Sequence, residues 1–268
     1  MRLYLDGVGL LGPGLANWPQ GREVLASLAP YRPAPVVLLA SDLLPVAERR
    51  RTPDTVKLAL AVGSEAMAHA QASPWTTRSV FASSGGDGAT IVAILDVLAT
   101  ENREVSPTRF HNSVHNAPAG YWSIATQSRE ASTSLCAYDF SFSVGLLEAS
   151  AQAVTLNQSV LLVSYDIPYS GALGVVRPMA GVCGMALVLS PRQTAQSLAA
   201  LSIEIAIGSE ETRLAEPQLE HLRAGSPTGR GLPVLAALAS GMAGNVTIPY
   251  VAGNNLNIMV TPLTETRA

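Results

Sequence analysis

In the stretch from Ser106 to Val154, Cys136 and Asp139 stand closest to the bend where a nucleophile could be placed. They lie where the small, β-prone run Ala131 to Leu135 gives way, after Tyr138-Asp139, to apolar positions Phe142, Leu146, Ala149 and Ala153 at helical spacing. A strand that breaks sharply into a helix places its turn residue on the helix N-terminus, where backbone N–H groups and the dipole favour negative charge. A thiol in that position is activated as a nucleophile. Alternation from Ser132 and Ser134, however, puts Cys136 before the turn and inside the sheet, so a buried, inert thiol is expected. Asp139 is expected to cap the helix by accepting backbone N–H bonds.

Other chemistry-bearing patterns are weaker. His111 and His115 are four apart and share a face if that segment is helical, but no third ligand accompanies them, so no metal site is expected. Gly7-Val8-Gly9-Leu10-Leu11-Gly12 after a strand is formally a dinucleotide fingerprint, with Val36–Ala40 ending at Asp42 as a mimic of the ribose-binding strand. A nicotinamide-dependent oxidoreductase is therefore one reading. Pro13, Gly14 and Pro19 oppose the helix that the fingerprint requires, and the bland alternative is a strand entering a glycine-rich loop. Gly85-Gly86-Asp87-Gly88 opens a helix, yet Asp87 would repel phosphate and no Lys-Ser/Thr follows. Cys183 reads as core, His69 as a last-turn histidine without a catalytic part, and no GxSxG elbow is present. No cofactor is expected.

The elements that must position these residues alternate between strand and helix. Strands are expected at 2–6, Ser79–Ser83, Ala131–Leu135, Ser159–Tyr165 and Gly184–Ser190, with helices from Pro53 to about Gln71, from Ala89 to Thr100, from Tyr121 to Thr126 and from near Asp139. Leu58, Ala61, Val62, Ala66 and Ala70 form the apolar stripe of the Pro53 helix. Residues 1–191 thus read as one layered α/β unit. Residues 192–268 offer less: a strand at Leu201–Ile207, a polar connection, a helix from Gly231 to Gly241, and a hairpin of Val246–Val251 with Leu256–Thr261. Beyond Pro191 there is one histidine, His221, and no lysine.

Composition bounds the rest. Charge is sparse at 14% and apolar content high at 48% over 268 residues, which suits a compact globular protein. A net charge of −3 leaves no electrostatic footprint for nucleic acid. No uncharged apolar run approaches about 18 residues, so no membrane span is expected. The opening MRLYLDGVGLLGPG lacks signal-peptide character, and two separated cysteines suit the cytoplasm. High apolar content without a span suggests a large subunit interface.

The central stretch resembles the β-ketoacyl synthases of the thiolase fold. Ser106-Pro107, Asn116, Ala119-Gly120 and the Gly145/Glu148-Ala149 pattern follow in that family's order. The resemblance implies a thiolase-like layered α-β-α fold with a complete N-terminal half (1–191) and a truncated C-terminal half (192–268). It also implies that the family's nucleophile position, nineteen residues after Gly120, is Asp139 and not Cys136. A carboxylate there is a poor acyl carrier, and the truncated half supplies neither the two histidines nor the lysine of the family's active site. Within the family the chain resembles the chain-length factors of type II polyketide and aryl-polyene systems. These are non-catalytic subunits that dimerise with an active ketosynthase and, through it, serve an acyl carrier protein. The resemblance implies that Phe110, His111, Val114 and His115 shape the partner's tunnel, and that Ala131, Ser132, Thr133, Ser134 and Leu135 form the strand paired across the dimer. An active acyltransferase using Cys136 is the alternative.

Overall fold

The computed structural model describes residues 1–263. Its strands are β1 (Arg2–Leu11), β2 (Arg78–Ala82), β3 (Ser132–Leu135), β4 (Val160–Asp166), β5 (Cys183–Ser190), β6 (Ala199–Ile207), β7 (Gly244–Pro249) and β8 (Asn254–Pro262). The helices are α1 (Trp18–Leu25), α2 (Val46–Arg49), α3 (Asp54–His69), α4 (Gly88–Leu98), α5 (Pro107–Asn112), α6 (Ala117–Thr126), α7 (Ser141–Leu156), α8 (Gly171–Val176), α9 (Pro217–Gly225) and α10 (Leu232–Ala239). All strands join one mixed sheet in the order β3-β2-β4-β5-β1-β6-β8-β7. β2 runs parallel to β3 and β4, and every other pairing is antiparallel.

The apolar pattern explains the layering. β4 and β5 are buried along their whole length, as strands covered on both faces must be. On one face, Val56, Leu58, Leu60, Val62 and Met67 of α3 join Tyr121 and Trp122 of α6 against Phe81, Leu161, Val163 and Val188. On the other, Phe142, Leu146, Ala149 and Ala153 of α7, together with α1, α9 and α10, meet the opposite side of the same strands and the inner side of β6 to β8. The α3/α6 layer stops at β1. Beyond it, Ser202, Glu204, Met259 and Asn245 on that side of the sheet are exposed. Three layers over the N-terminal strands thus become two over the C-terminal ones.

The glycines after residue 6 do not form a loop. β1 runs through them to Leu11, and α3 lies directly on them: a Cβ at Gly7 would stand 2.2 Å from the Ala66 carbonyl oxygen, and one at Gly9 2.0 Å from that of Val62. No helix opens until Trp18, and 36–40 is not a strand. With α3 seated there, a pyrophosphate has no room, and the dinucleotide reading fails on geometry. β1 has no β6 partner beyond Leu5, so α3 side chains take over its outward N–H groups. Val8 N donates to His69 Nδ1 at 3.2 Å, while Glu65 accepts from Leu10 N at 2.9 Å and Trp18 N at 2.6 Å. Burial holds His69 below its ordinary value and Glu65 above its own, the latter opposed by its two N–H donors.

Other expectations shift in detail. Ala61 of α3 is exposed. β3 is the edge of the sheet and half-exposed instead of buried, with Ala131 just outside it. The segments after Asp166 and Gly208 contain the short helices α8 and α9.

Candidate functional site

The bend between β3 and α7 is built from backbone strain and one buried hydroxyl. Tyr138 adopts a left-handed conformation with φ of 53°, which a bulky residue enters only when its surroundings impose it. Ser141 Oγ donates to Tyr138 O at 2.8 Å and accepts from Ala137 N at 3.0 Å, and its residue is fully buried. Ser141 thus ties the turn that precedes α7, and among the described residues no side chain caps the helix N–H groups. Asp139 sits in the single helical turn Tyr138–Phe140 ahead of α7 and caps nothing, which corrects the expectation for it.

Asp139 is held by two arginines. Arg177 Nη2 donates to its Oδ1 at 2.8 Å, and Arg230 Nη2 stands 3.7 Å from Oδ2. The Arg177 guanidinium also stacks 3.5 Å above the Tyr138 ring. Burial pulls the Arg177 pKa down, but the hydrogen bond and charge of Asp139 outweigh it and hold the group above its ordinary value. These residues, with Met179, Ser226 and Pro227, line a cavity of about 170 Å³. Arg177 and Arg230 were not singled out in the sequence. They follow Asp139 by 38 and 91 positions, and no local pattern marks them as its partners.

Beneath the bend, buried Asp166 at the end of β4 ties three segments together. It accepts from Ser84 N at 2.8 Å, Thr228 N at 3.0 Å and Thr228 Oγ1 at 2.7 Å. Burial raises its pKa against the pull of those bonds. Cys183 lies in the core as expected, its thiol pushed up to about 12 by burial.

Cys136 is exposed, contrary to the buried reading, because β3 is an edge and the chain turns outward after Leu135. Its Sγ donates to Ser84 O at 3.1 Å. His115 Nε2 lies 3.1 Å from the preceding carbonyl, Ser83 O, and since a carbonyl only accepts, Nε2 carries the proton. Thiol and imidazole thus anchor on neighbouring carbonyls, each spending its proton there. His111 does not join His115: α5 ends at Asn112, and the His111 ring instead packs edge-on against Tyr121 at 6.1 Å. Among the described residues no cluster of His, Cys, Asp or Glu could hold a metal ion, and no helix is long and apolar enough to cross a membrane.

The segment 106–116 stands on the surface. Phe110 is 69% and Val114 49% exposed, His111 is exposed and His115 half-buried. A cleft of about 330 Å³, lined by Arg109, Ala93, Thr55 and Ile167 among others, separates α5 from the starts of α3 and α4.

The model of the beta-ketoacyl synthase N-terminal domain family matches residues 16–243. Among solved structures, the ketosynthase ApeO in complex with its chain length factor ApeC from Xenorhabdus doucetiae is similar at a TM-score of 0.74 and 21% identity, over 97% of this chain and 99% of that one. The ishigamide ketosynthase/chain length factor is similar at 0.70 and 14%, over 98% and 100%. A beta-ketoacyl synthase from Burkholderia phymatum is similar at 0.70 and 11%, over 98% and 99%. No curated protein matches.

Proposed function

The chain belongs to the β-ketoacyl synthase family and has its thiolase-like fold, and from that premise we propose that it is a non-catalytic, chain-length-factor-like subunit. In this reading it dimerises with an active β-ketoacyl synthase and closes the far end of that enzyme's acyl tunnel. The observation that carries the proposal is the locked bend: Asp139 is engaged by Arg177 and Arg230, and no imidazole lies among the residues that line its cavity. A carboxylate neutralised by guanidinium groups is a weak nucleophile, and the mixed anhydride it would form is too reactive to carry a chain. Condensation needs a thiolate and imidazoles that act on the incoming unit.

The unpaired edge of β3 supports dimerisation, since Ser132 to Leu135 pair with β2 on one side only. Exposed Phe110 and Val114 support a surface that another protein covers. The solved ketosynthase and chain length factor complexes with the same fold support the type of partner, an active ketosynthase. Co-expression with a neighbouring ketosynthase tests the reading. The two chains should co-purify, and product should require both. A chain that stays alone and leaves the ketosynthase's output unchanged would overturn it.

A second reading rests on Cys136, whose exposure and anchorage beside His115 on the consecutive carbonyls that follow β2 suit a thiol-dependent acyltransferase. The proton placement argues against it, because neither group points its proton at the other. Iodoacetamide labelling with loss of an acyl-transfer activity in the isolated protein would favour it.

A further inference from the structure

We propose that the cavity beside Asp139 is an oxyanion-binding site, taking one phosphate or carboxylate head group between Arg177 and Arg230. The inference does not rest on the partner-subunit reading. Two guanidinium groups face this cavity and one carboxylate answers them, which leaves a positive excess. The sharing is also uneven: Arg177 makes a 2.8 Å hydrogen bond, whereas Arg230 stands 3.7 Å away and its guanidinium makes no hydrogen bond among the described residues.

Shape narrows the ligand. About 170 Å³ lies below the roughly 300–1,000 Å³ of pockets that enclose whole drug-sized molecules, so the space suits a head group. Its wall is more polar than apolar, with Arg177, Arg230 and Ser226 among its lining residues, and the guanidinium fork matches the geometry of a carboxylate or phosphate. Asp139 is then a tethered competitor that fills the site until an external anion replaces it.

That competition gives the site a signature a structural ion pair lacks. Inorganic phosphate and acetate are titrated separately into the purified full chain by calorimetry, with ionic strength held constant by chloride. Saturable binding of at least one is expected, and whichever binds more tightly identifies the head-group chemistry. Asp139→Asn should tighten binding about tenfold, the factor given by roughly 1.4 kcal/mol. Arg230→Gln should weaken it by a similar factor. No saturable heat with either anion, or weaker binding to Asp139→Asn, overturns the proposal, as does unchanged binding to Arg230→Gln. Should Arg230→Gln fail to fold, the wild type and Asp139→Asn decide between them.

Discussion

Tyr138, Asp139 and Ser141 share out work that a sequence assigns to a single residue. Their order suggests a capping aspartate, but the left-handed backbone at Tyr138 turns Asp139 away from the N–H groups of α7 and leaves Ser141 to bind the turn. The aspartate is freed to meet Arg177 and Arg230, which arrive from distant segments. Cys136 shows the converse. Alternation suggests a place inside the sheet, but β3 ends at Leu135 and has no neighbour on its outer side, so the thiol is exposed. Its proton goes to the Ser84 carbonyl, and the His115 imidazole bonds the adjacent Ser83 carbonyl through Nε2. Cys136→Ala should therefore leave the product output of the co-expressed pair within about twofold of wild type, whereas loss of a general base or nucleophile costs about 100-fold or more. Radiolabelled product assays measure the difference, and a collapse in Cys136→Ala would hand the chemistry to the thiol.

At the scale of elements, the contact of α3 with β1 decides how tightly the layers close. Gly9 sits under the Val62 carbonyl, and since the obstacle is backbone, no rotamer relieves a new methyl. Gly9→Ala should destabilise by about 3 kcal/mol, the upper end of ordinary overpacking, as read from urea unfolding midpoints. The same contact carries a pH dependence. His69 accepts Val8 N–H through Nδ1, and burial depresses its pKa, so the unfolded chain takes up the proton first. Its contribution is present above the ordinary histidine value of about 6.5 and is lost as pH falls from there through the depressed folded value. Glu65, raised by burial, works in the opposite sense at lower pH. Comparison with His69→Gln, which keeps an acceptor but does not titrate, isolates the histidine. Wild type should lose more stability than the variant between pH 7.5 and 5, and parallel curves would refute the link. Most of this architecture was legible in the chain, because α3, α7, β4 and β5 bury long, regular apolar runs whose period names them. The glycines of β1 were not, since close helix approach and a loop use the same residue. α8 and α9 hid in polar or glycine-rich segments for the same lack of period. The site was legible only up to its central carboxylate: the position of Asp139 follows from local order, whereas its arginines depend on how distant loops converge.

At the scale of the whole molecule, the outlying helices raise a solvation problem that the single chain does not solve. α4 is apolar along nearly its full length, yet only Gly88 of it is buried. Leu95 and Leu98 on α4, Phe110 on α5, Val114 just beyond it, and Val175 and Val176 on α8 are all exposed, and α4 contacts both α5 and α8. Apolar side chains gathered on adjoining elements mark a surface destined for cover. The open edge of β3 offers a second region for the same partner. Under the proposal that the partner is a ketosynthase, the turn carrying Val114 is the part expected to block the end of a growing chain. Val114→Trp adds bulk at a half-exposed position, so it should change the stability of the isolated subunit by no more than about 0.5 kcal/mol. In the pair the indole must project into the partner or be forced aside. The first outcome shortens the product distribution while total turnover is retained, and mass spectrometry of the extracted acyl chains reads it directly. Val114→Ala should leave the distribution unchanged or lengthen it, which separates a steric stop from general damage to the interface. Identical chain lengths in wild type and both variants, with the pair still intact on gel filtration, would remove this turn from the tunnel.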